Sequence, residues 1–224
     1  MSASDALHNQ LTAERDQHLE VMRLIAQSFS NTPMVLKGGT GLYLGYGLDR
    51  FSEDLDFDST VGINVEARIK EVLRKTLYKL EKIVVKKDTE TVKRWMVSYS
   101  GKAGARSLKI EVSLRSESID ADTHELLDGI RIYKIESLID QKLNAVAHRA
   151  KVRDLYDLKF MAEHYADRFS DSQAQALLKF ASDPGDIVAL YKEDHGQDPI
   201  LKEVDLDELA LDLLDHAENL HGRF

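Results

Sequence analysis

Two short segments of this chain carry residue types suited to phosphate chemistry, and they lie close together. Lys37-Gly38-Gly39-Thr40 is a small-residue turn after the apolar run Met34-Val35-Leu36. Asp54-Leu55-Asp56-Phe57-Asp58 alternates acidic and apolar residues. Side chains of a β-strand alternate between its faces. Asp54 and Asp56 therefore share one face, while Leu55 and Phe57 enter a core on the other. Neighbouring carboxylates repel unless a cation lies between them, and ligands that are all oxygen favour a hard ion such as Mg²⁺. The glycine turn offers backbone N–H groups to a phosphate, more so where a helix starts. Residues Thr40–Leu48 read as that helix, with Leu42, Tyr43, Leu44 and Tyr46 available for burial.

Three further positions join this pair. Leu108–Leu114 alternates cleanly, with Leu108, Ile110, Val112 and Leu114 on one face and Lys109, Glu111 and Ser113 on the other. If it pairs with the Asp54–Phe57 strand, Glu111 joins Asp54 and Asp56. Three carboxylates can hold the two Mg²⁺ ions of a phosphoryl-transfer site; alternatively Lys109 and Glu111 are ordinary exposed residues. Lys142 falls on the apolar stripe Ile135, Leu138, Ile139, Leu143, Val146, where an ammonium needs an anion, either a phosphate or a structural carboxylate, unless it snorkels out at the edge of the stripe. Asp154 fits a helix N-cap with Asp157 in the first turn. The alternative is that Asp154, aligned with Leu158, Met161 and Tyr165, turns inward towards Lys142. A calcium loop is the rival for Asp54, Asp56 and Asp58, but its sixth position is Ser59 rather than glycine and its twelfth is Val65 rather than glutamate. The histidines show no ligand spacing.

The elements that would position these residues follow from periodicity and turn signals. Leu7–Ser28 and Val65–Leu80 read as amphipathic helices, Met34–Leu36 as a strand. Ile83–Lys86, Val92–Ser100, Leu108–Leu114 and Ile130–Tyr133 read as strands, with a turn at Gly101-Lys102-Ala103-Gly104. Beyond Lys134 the pattern is helical: Ile135–His148, Leu155–Tyr165, Ser172–Ser182 and Leu206–Leu220, with a break at Asp183-Pro184-Gly185. The expected layout is an α+β class with a mixed β-sheet core over residues 1–134 and a helical C-terminal region over 135–224.

Composition sets the bounds. A chain of 224 residues is one large domain or two small ones. No apolar run reaches the roughly 18 residues that would span a bilayer. Met1-Ser2-Ala3-Ser4-Asp5 lacks the basic-then-apolar pattern of a secretory signal. Without cysteine there is no disulfide, thiolate nucleophile or Cys-ligated zinc. These features suit a cytoplasmic protein with no membrane partner. A net charge of −9 opposes broad non-specific binding to nucleic acid. The charge is uneven, however: 68–94 is rich in Lys and Arg, and 193–218 in acids. The basic stretch could hold a polyanion locally; the plainer reading is a solvated helix surface.

Taken together, Gly38-Gly39-Thr40 and Arg50-Phe51-Ser52-Glu53-Asp54-Leu55-Asp56-Phe57 resemble the signature of the AbiEii/AbiGii-type nucleotidyltransferases, toxins of bacterial type IV toxin–antitoxin and phage-abortive systems. Lys109-Ile110-Glu111-Val112 is similar in form to the family's second motif. Lys142 and Arg153-Asp154-Leu155-Tyr156-Asp157-Leu158 are similar to the two that follow. The resemblance covers roughly Val35 to Leu158. It implies a DNA-polymerase-β-like nucleotidyltransferase core followed by helices, and transfer of a nucleotide from an NTP to an acceptor, RNA such as the tRNA 3′ end in some members. It further implies that Lys37, Gly38, Gly39, Thr40 and Lys142 bind the nucleotide and that Asp54, Asp56 and Glu111 hold Mg²⁺. Lys142 and Asp154 would complete the catalytic set, and a cognate antitoxin protein would be a partner. Threonine stands at position 40 where members often carry serine, and the hydroxyl is kept. Two other functions remain open on the sequence: transfer to a small molecule of the antibiotic type, and a non-catalytic nucleotide-binding or partner-binding module.

Overall fold

The computed structural model describes residues 3–223; Met1 and Ser2, which open the segment read for a secretory signal, lie outside them. The chain divides into two compact units. One runs to Gly45 and resumes over Ser52–Tyr133, and the other comprises Tyr46–Phe51 with Lys134 onward.

The first unit is built on a seven-stranded mixed sheet. Its strands are β1 (Val35–Lys37), β2 (Asp54–Asp58), β3 (Lys79–Asp88), β4 (Val92–Gly101), β5 (Gly104–Ser113), β6 (His124–Leu127) and β7 (Ile130–Tyr133), in the order β3-β4-β5-β2-β1-β7-β6. β2 runs antiparallel to β1 and parallel to β5, and β1 runs parallel to β7. Alternation dictates one apolar face: Leu36, Leu55, Phe57, Ile110, Val112, Trp95, Val97, Tyr99 and Ile132 are all buried. The helix α1 (Ala3–Ser28) covers that face with Val21, Met22, Ile25 and Ala26, while Phe29 meets Phe57 edge-on at 5.6 Å. Each such side chain contributes roughly 1.5–3 kcal/mol on leaving water. The opposite face carries the polar residues of the same strands.

Several sequence-based boundaries change: β3, β5 and the helix read from Leu155 each begin earlier than expected, and two helices near the acidic strand also differ. The helix α3 (Val65–Arg74) stops six residues short of Leu80. Thr76 ends it: its hydroxyl donates to the Leu73 carbonyl and accepts from the Tyr78 amide, replacing helical bonds with a side-chain turn. Leu77 is then 86% exposed, and the β-branched run Ile83-Val84-Val85 continues as the long strand β3. The basic stretch is thus largely strand surface rather than helix surface. The helix after the glycine turn, α2 (Gly38–Gly45), begins and ends earlier than the pattern implied.

The second unit contains α4 (Ile135–His148), α5 (Val152–His164), α6 (Asp171–Ala181), α7 (Pro184–Gln197) and α8 (Leu206–His221). α5 packs against α4, α7 and α8. Asp183 and Pro184, read as a break, are the N-cap and first residue of α7; the Asp183 side chain accepts the Asp186 amide. No described helix is long and apolar enough to cross a membrane.

At the β1–α2 junction Gly38 takes φ +68°, and a Cβ there would meet nothing within 4 Å. The glycine serves backbone conformation rather than space. Gly38→Ala should therefore lower stability by about 1 kcal/mol through left-handed strain alone, measurable as a reduced urea midpoint with unchanged m-value.

Candidate active site

The register of the sheet brings the sequence-predicted acids onto one face. Asp56 lies opposite Lys37 on β1 and opposite Glu111 on β5, while Asp54 lies opposite Lys109. Tyr133 on β7 and Arg94 on β4 extend the row, because Leu36 pairs with Ile132 and Glu111 with Arg94. The glycine turn is tied directly to the acidic strand. Thr40 is 3% exposed; its hydroxyl donates to the Asp54 carbonyl and bonds the Ser52 hydroxyl at 2.7 Å. The first turn of α2 is thereby pinned to the start of β2.

A buried histidine of α1 fixes the preceding residue. His18 Nε2 donates to the Glu53 carbonyl at 2.8 Å, so Nδ1 accepts from the Tyr99 hydroxyl at 2.7 Å. Burial pushes its pKa down, in keeping with a neutral ring.

Most charges on the polar face are paired. Lys37 Nζ lies 2.6 Å from Asp58, which also accepts the Tyr133 hydroxyl at 3.1 Å. Lys109 Nζ lies 2.6 Å from Asp54, and Arg94 Nε 2.6 Å from Glu111. Burial works against the Lys109 ammonium, but Asp54, Asp56 and Glu111 outweigh it and hold its pKa above the ordinary value. Asp56 is different. It is half-buried, and among the described residues it is the acid of this row with no ion-paired cation. Burial pushes its carboxyl up; Lys109 and Lys37 oppose that, and Asp54 and Glu111 add to it.

The expected convergence of three carboxylates is met in register but not in side-chain placement. Among the described residues no group of three acids or histidines is gathered closely enough to hold a metal ion. The reason is visible in the pairs: Lys109 draws Asp54 and Arg94 draws Glu111, leaving Asp56 between them. The donor chemistry nevertheless fits a hard divalent cation, since three oxygen ligands stand on adjacent pleats and the central one lacks a counter-charge.

Lys142 and Asp154 belong to the second unit and meet there. Lys142 Nζ contacts Asp154 at 2.6 Å and Asp157 at 2.5 Å. Asp157, fully buried, also takes a two-pronged bond from Arg50 at 2.6 and 2.7 Å, and Arg149 reaches Asp154 at 2.7 Å. Of the two anions open on the sequence, the lysine has the carboxylate kind. Arg50 and Asp157 carry the network but were read only as parts of a motif and a helix first turn. The signal was weak, because Arg50 finds its partner 107 residues away. Lys109 and Asp58 could have been found from parity alone, since each shares a strand face with a predicted acid.

The family described as nucleotidyl transferase AbiEii toxin, type IV TA system, matches residues 21–221. The crystal structure of JHP933 from Helicobacter pylori is similar at 41% identity and TM-score 0.88, covering 94% of this chain and 93% of that one. A second H. pylori crystal structure, described as a candidate nucleotidyltransferase, is similar at 41% identity and TM-score 0.87, covering 94% and 96%. No curated protein matches the sequence.

Two outcomes are expected. Asp56→Asn should raise the melting temperature by about 2–4 °C near neutral pH, the shift that roughly 1 kcal/mol gives in a chain of this length. Because the folded pKa of Asp56 is raised, its ionisation costs stability above the carboxylate range. The gain should therefore shrink as pH falls and vanish once the wild-type acid is protonated, which a pH series of melts would show. In the helical unit, Asp157→Ala strands three cations against one acid and should cost about 3–5 kcal/mol. Lys142→Ala leaves two cations against two acids and should cost less, roughly 1–3 kcal/mol, when both are compared by urea unfolding.

Proposed function

Because the chain belongs to the AbiEii nucleotidyltransferase toxin family of type IV toxin–antitoxin systems, we propose that the Asp54–Asp56–Glu111 face transfers a nucleotide from an NTP to an RNA acceptor in a Mg²⁺-dependent reaction. The observation that carries this is Asp56: a desolvated carboxylate without a cation, flanked by two more acids, on a strand whose first residue, Asp54, is tied through Thr40 to a glycine turn. Asp54, Asp56 and Glu111 would hold Mg²⁺. When bound, divalent ions neutralise the triphosphate and acidify an attacking hydroxyl.

The chain's own groups do the rest. Backbone N–H groups at Gly38 and Gly39, in the first turn of α2, would bind the phosphate tail, together with the adjoining Lys37 ammonium. The acceptor hydroxyl attacks the α-phosphorus, one P–O bond forms as the bond to pyrophosphate breaks, and the proton leaves towards the carboxylates. Thr40, buried and doubly bonded, positions the turn. Lys142 and Asp154 act through the Arg50–Asp157 network, which anchors the segment leading by the chain into β2. An RNA 3′ end such as that of tRNA supplies a hydroxyl of the right kind. A cytoplasmic location and control by a cognate antitoxin protein complete the reading.

The test is incubation of the purified chain with each labelled NTP, Mg²⁺ and total bacterial RNA. Transfer to RNA is expected, lost on chelation and reduced in Asp56→Asn beyond the ~10–100-fold that outer-shell changes cost at metal sites. Mg²⁺ with NTP should also raise the melting temperature of the wild type and not of Asp56→Asn, a readout that needs no acceptor. Label in an acid-soluble product would reassign the acceptor to a small molecule, and binding without turnover would remove catalysis.

A further inference from the structure

The polar face of the sheet does not end at Glu111. Register carries it outward through two more strands: Asp56, Glu111, Arg94 and Lys87 form one row, and Asp54, Lys109, Met96 and Val84 the next. Beyond them lies the row Ser107, Ser98 and Lys82. These residues share the face of the acids. The other side of β4 and β5 is buried through Trp95, Val97, Tyr99, Leu108 and Ile110, and α3 packs against β3. Lys82 and Lys87 are exposed and have no counter-ion among the described residues. On a chain of net charge −9, two unpaired cations on the face of the acidic row are a local reversal of sign.

We propose that this outer sheet face, with Lys82 and Lys87 as its unpaired cations, seats the phosphodiester backbone of the acceptor strand and leads its terminal hydroxyl to Asp56. This rests on the nucleotidyl-transfer reading and adds where the acceptor lies. The spacing fits. Lys87 stands three strands from Asp56, roughly 14 Å at ~4.8 Å per strand, and Lys82 and Lys87 are about 15 Å apart along β3. That is a span of a few nucleotides. Between the cations, Val84 and Met96 offer an apolar floor for sugars or bases, and the Ser98 and Ser107 hydroxyls, bonded to each other at 3.1 Å, add polar contacts. The far end is closed by Glu81, which pairs with Lys79 and accepts the Ser100 hydroxyl. A phosphodiester chain fits a row that alternates charge, hydroxyl and small apolar patches; a flat lipid surface would need a broader apolar area.

The experiment compares the full-length chain with its Lys82→Glu/Lys87→Glu variant, neither residue being part of the proposed chemistry. Transfer of labelled nucleotide is followed against RNA concentration at rising salt. The variant should raise the acceptor KM at least tenfold at low salt. It should also flatten the dependence of log KM on log salt by about 1.4, since each single-strand phosphate contact contributes ~0.7. NTP binding by calorimetry should be unchanged. An unchanged KM and salt slope overturns the proposal, as does normal transfer accompanied by self-association, which would assign the lysines to guarding an edge strand. If the wild type transfers nothing to RNA, the functional reading fails by itself. Fluorescence anisotropy of a labelled oligonucleotide then still tests the surface, and equal binding by both proteins overturns it.

Discussion

A carboxylate that loses part of its water must be compensated by a positive charge or by a proton. On the polar face of this sheet the protein supplies a cation to Asp54, to Asp58 and to Glu111, but not to Asp56. That asymmetry shapes everything around it. The apolar half of the same strand, Leu55 and Phe57, is fully buried, so β2 cannot rotate or slip to let Asp56 out. A one-residue shift would put three acids into the core and two large apolar side chains into water. The strand is held by burial on one face, and the cost is taken on the other.

The surrounding contacts serve to keep that strand in place. Thr40 of α2 and His18 of α1 bond the backbone at Asp54 and Glu53. In the second unit the bidentate Arg50–Asp157 pair, with Lys142 and Arg149, holds the segment four residues before Asp54. Such a network does little for net stability, because desolvation offsets most of the attraction. Its geometry, however, is directional and unforgiving, and suits fixing a segment in one place. Local preorganisation of acids is what a phosphoryl-transfer site requires, since its rate comes from positioning and electrostatics rather than from covalent chemistry.

Much of this was legible in the sequence. Alternation in Asp54–Asp58 and in Leu108–Leu114 identified the strands and their polar faces, because a period of two admits one face assignment. The Lys142 anomaly was legible for the same reason: a charge on an apolar stripe demands a partner. What was not legible depended on long-range or local chemistry that periodicity does not see. Val65–Leu80 kept a helical spacing past its true end, because the Thr76 side-chain turn overrides pattern. β6 was missed although Asp128-Gly129, both at positive φ, is a two-residue hairpin signal. α7 was missed because proline was taken as a terminator where it is an initiator. Side-chain placement on the acidic face also exceeded the sequence. Parity said that Lys109 and Glu111 share a face with the aspartates, but not that Lys109 and Arg94 would draw the outer acids away from the central one.

The same parity argument reaches further than the site itself. Once β2 is fixed, each antiparallel or parallel neighbour inherits its polar face by register, through β5 and β4 to β3. Lysines that look like an undifferentiated basic stretch in the sequence are thereby sorted. Lys82 and Lys87 fall on the face of the acids, while Ile83 and Val85 fall on the other. A helix through the same residues would have spread those charges around its circumference. The early end of α3 at Arg74 and the extension of the strand read at Ile83–Lys86 to Lys79–Asp88 therefore matter beyond their boundaries: they bring Lys82 and Lys87 into an ordered row running towards Asp56.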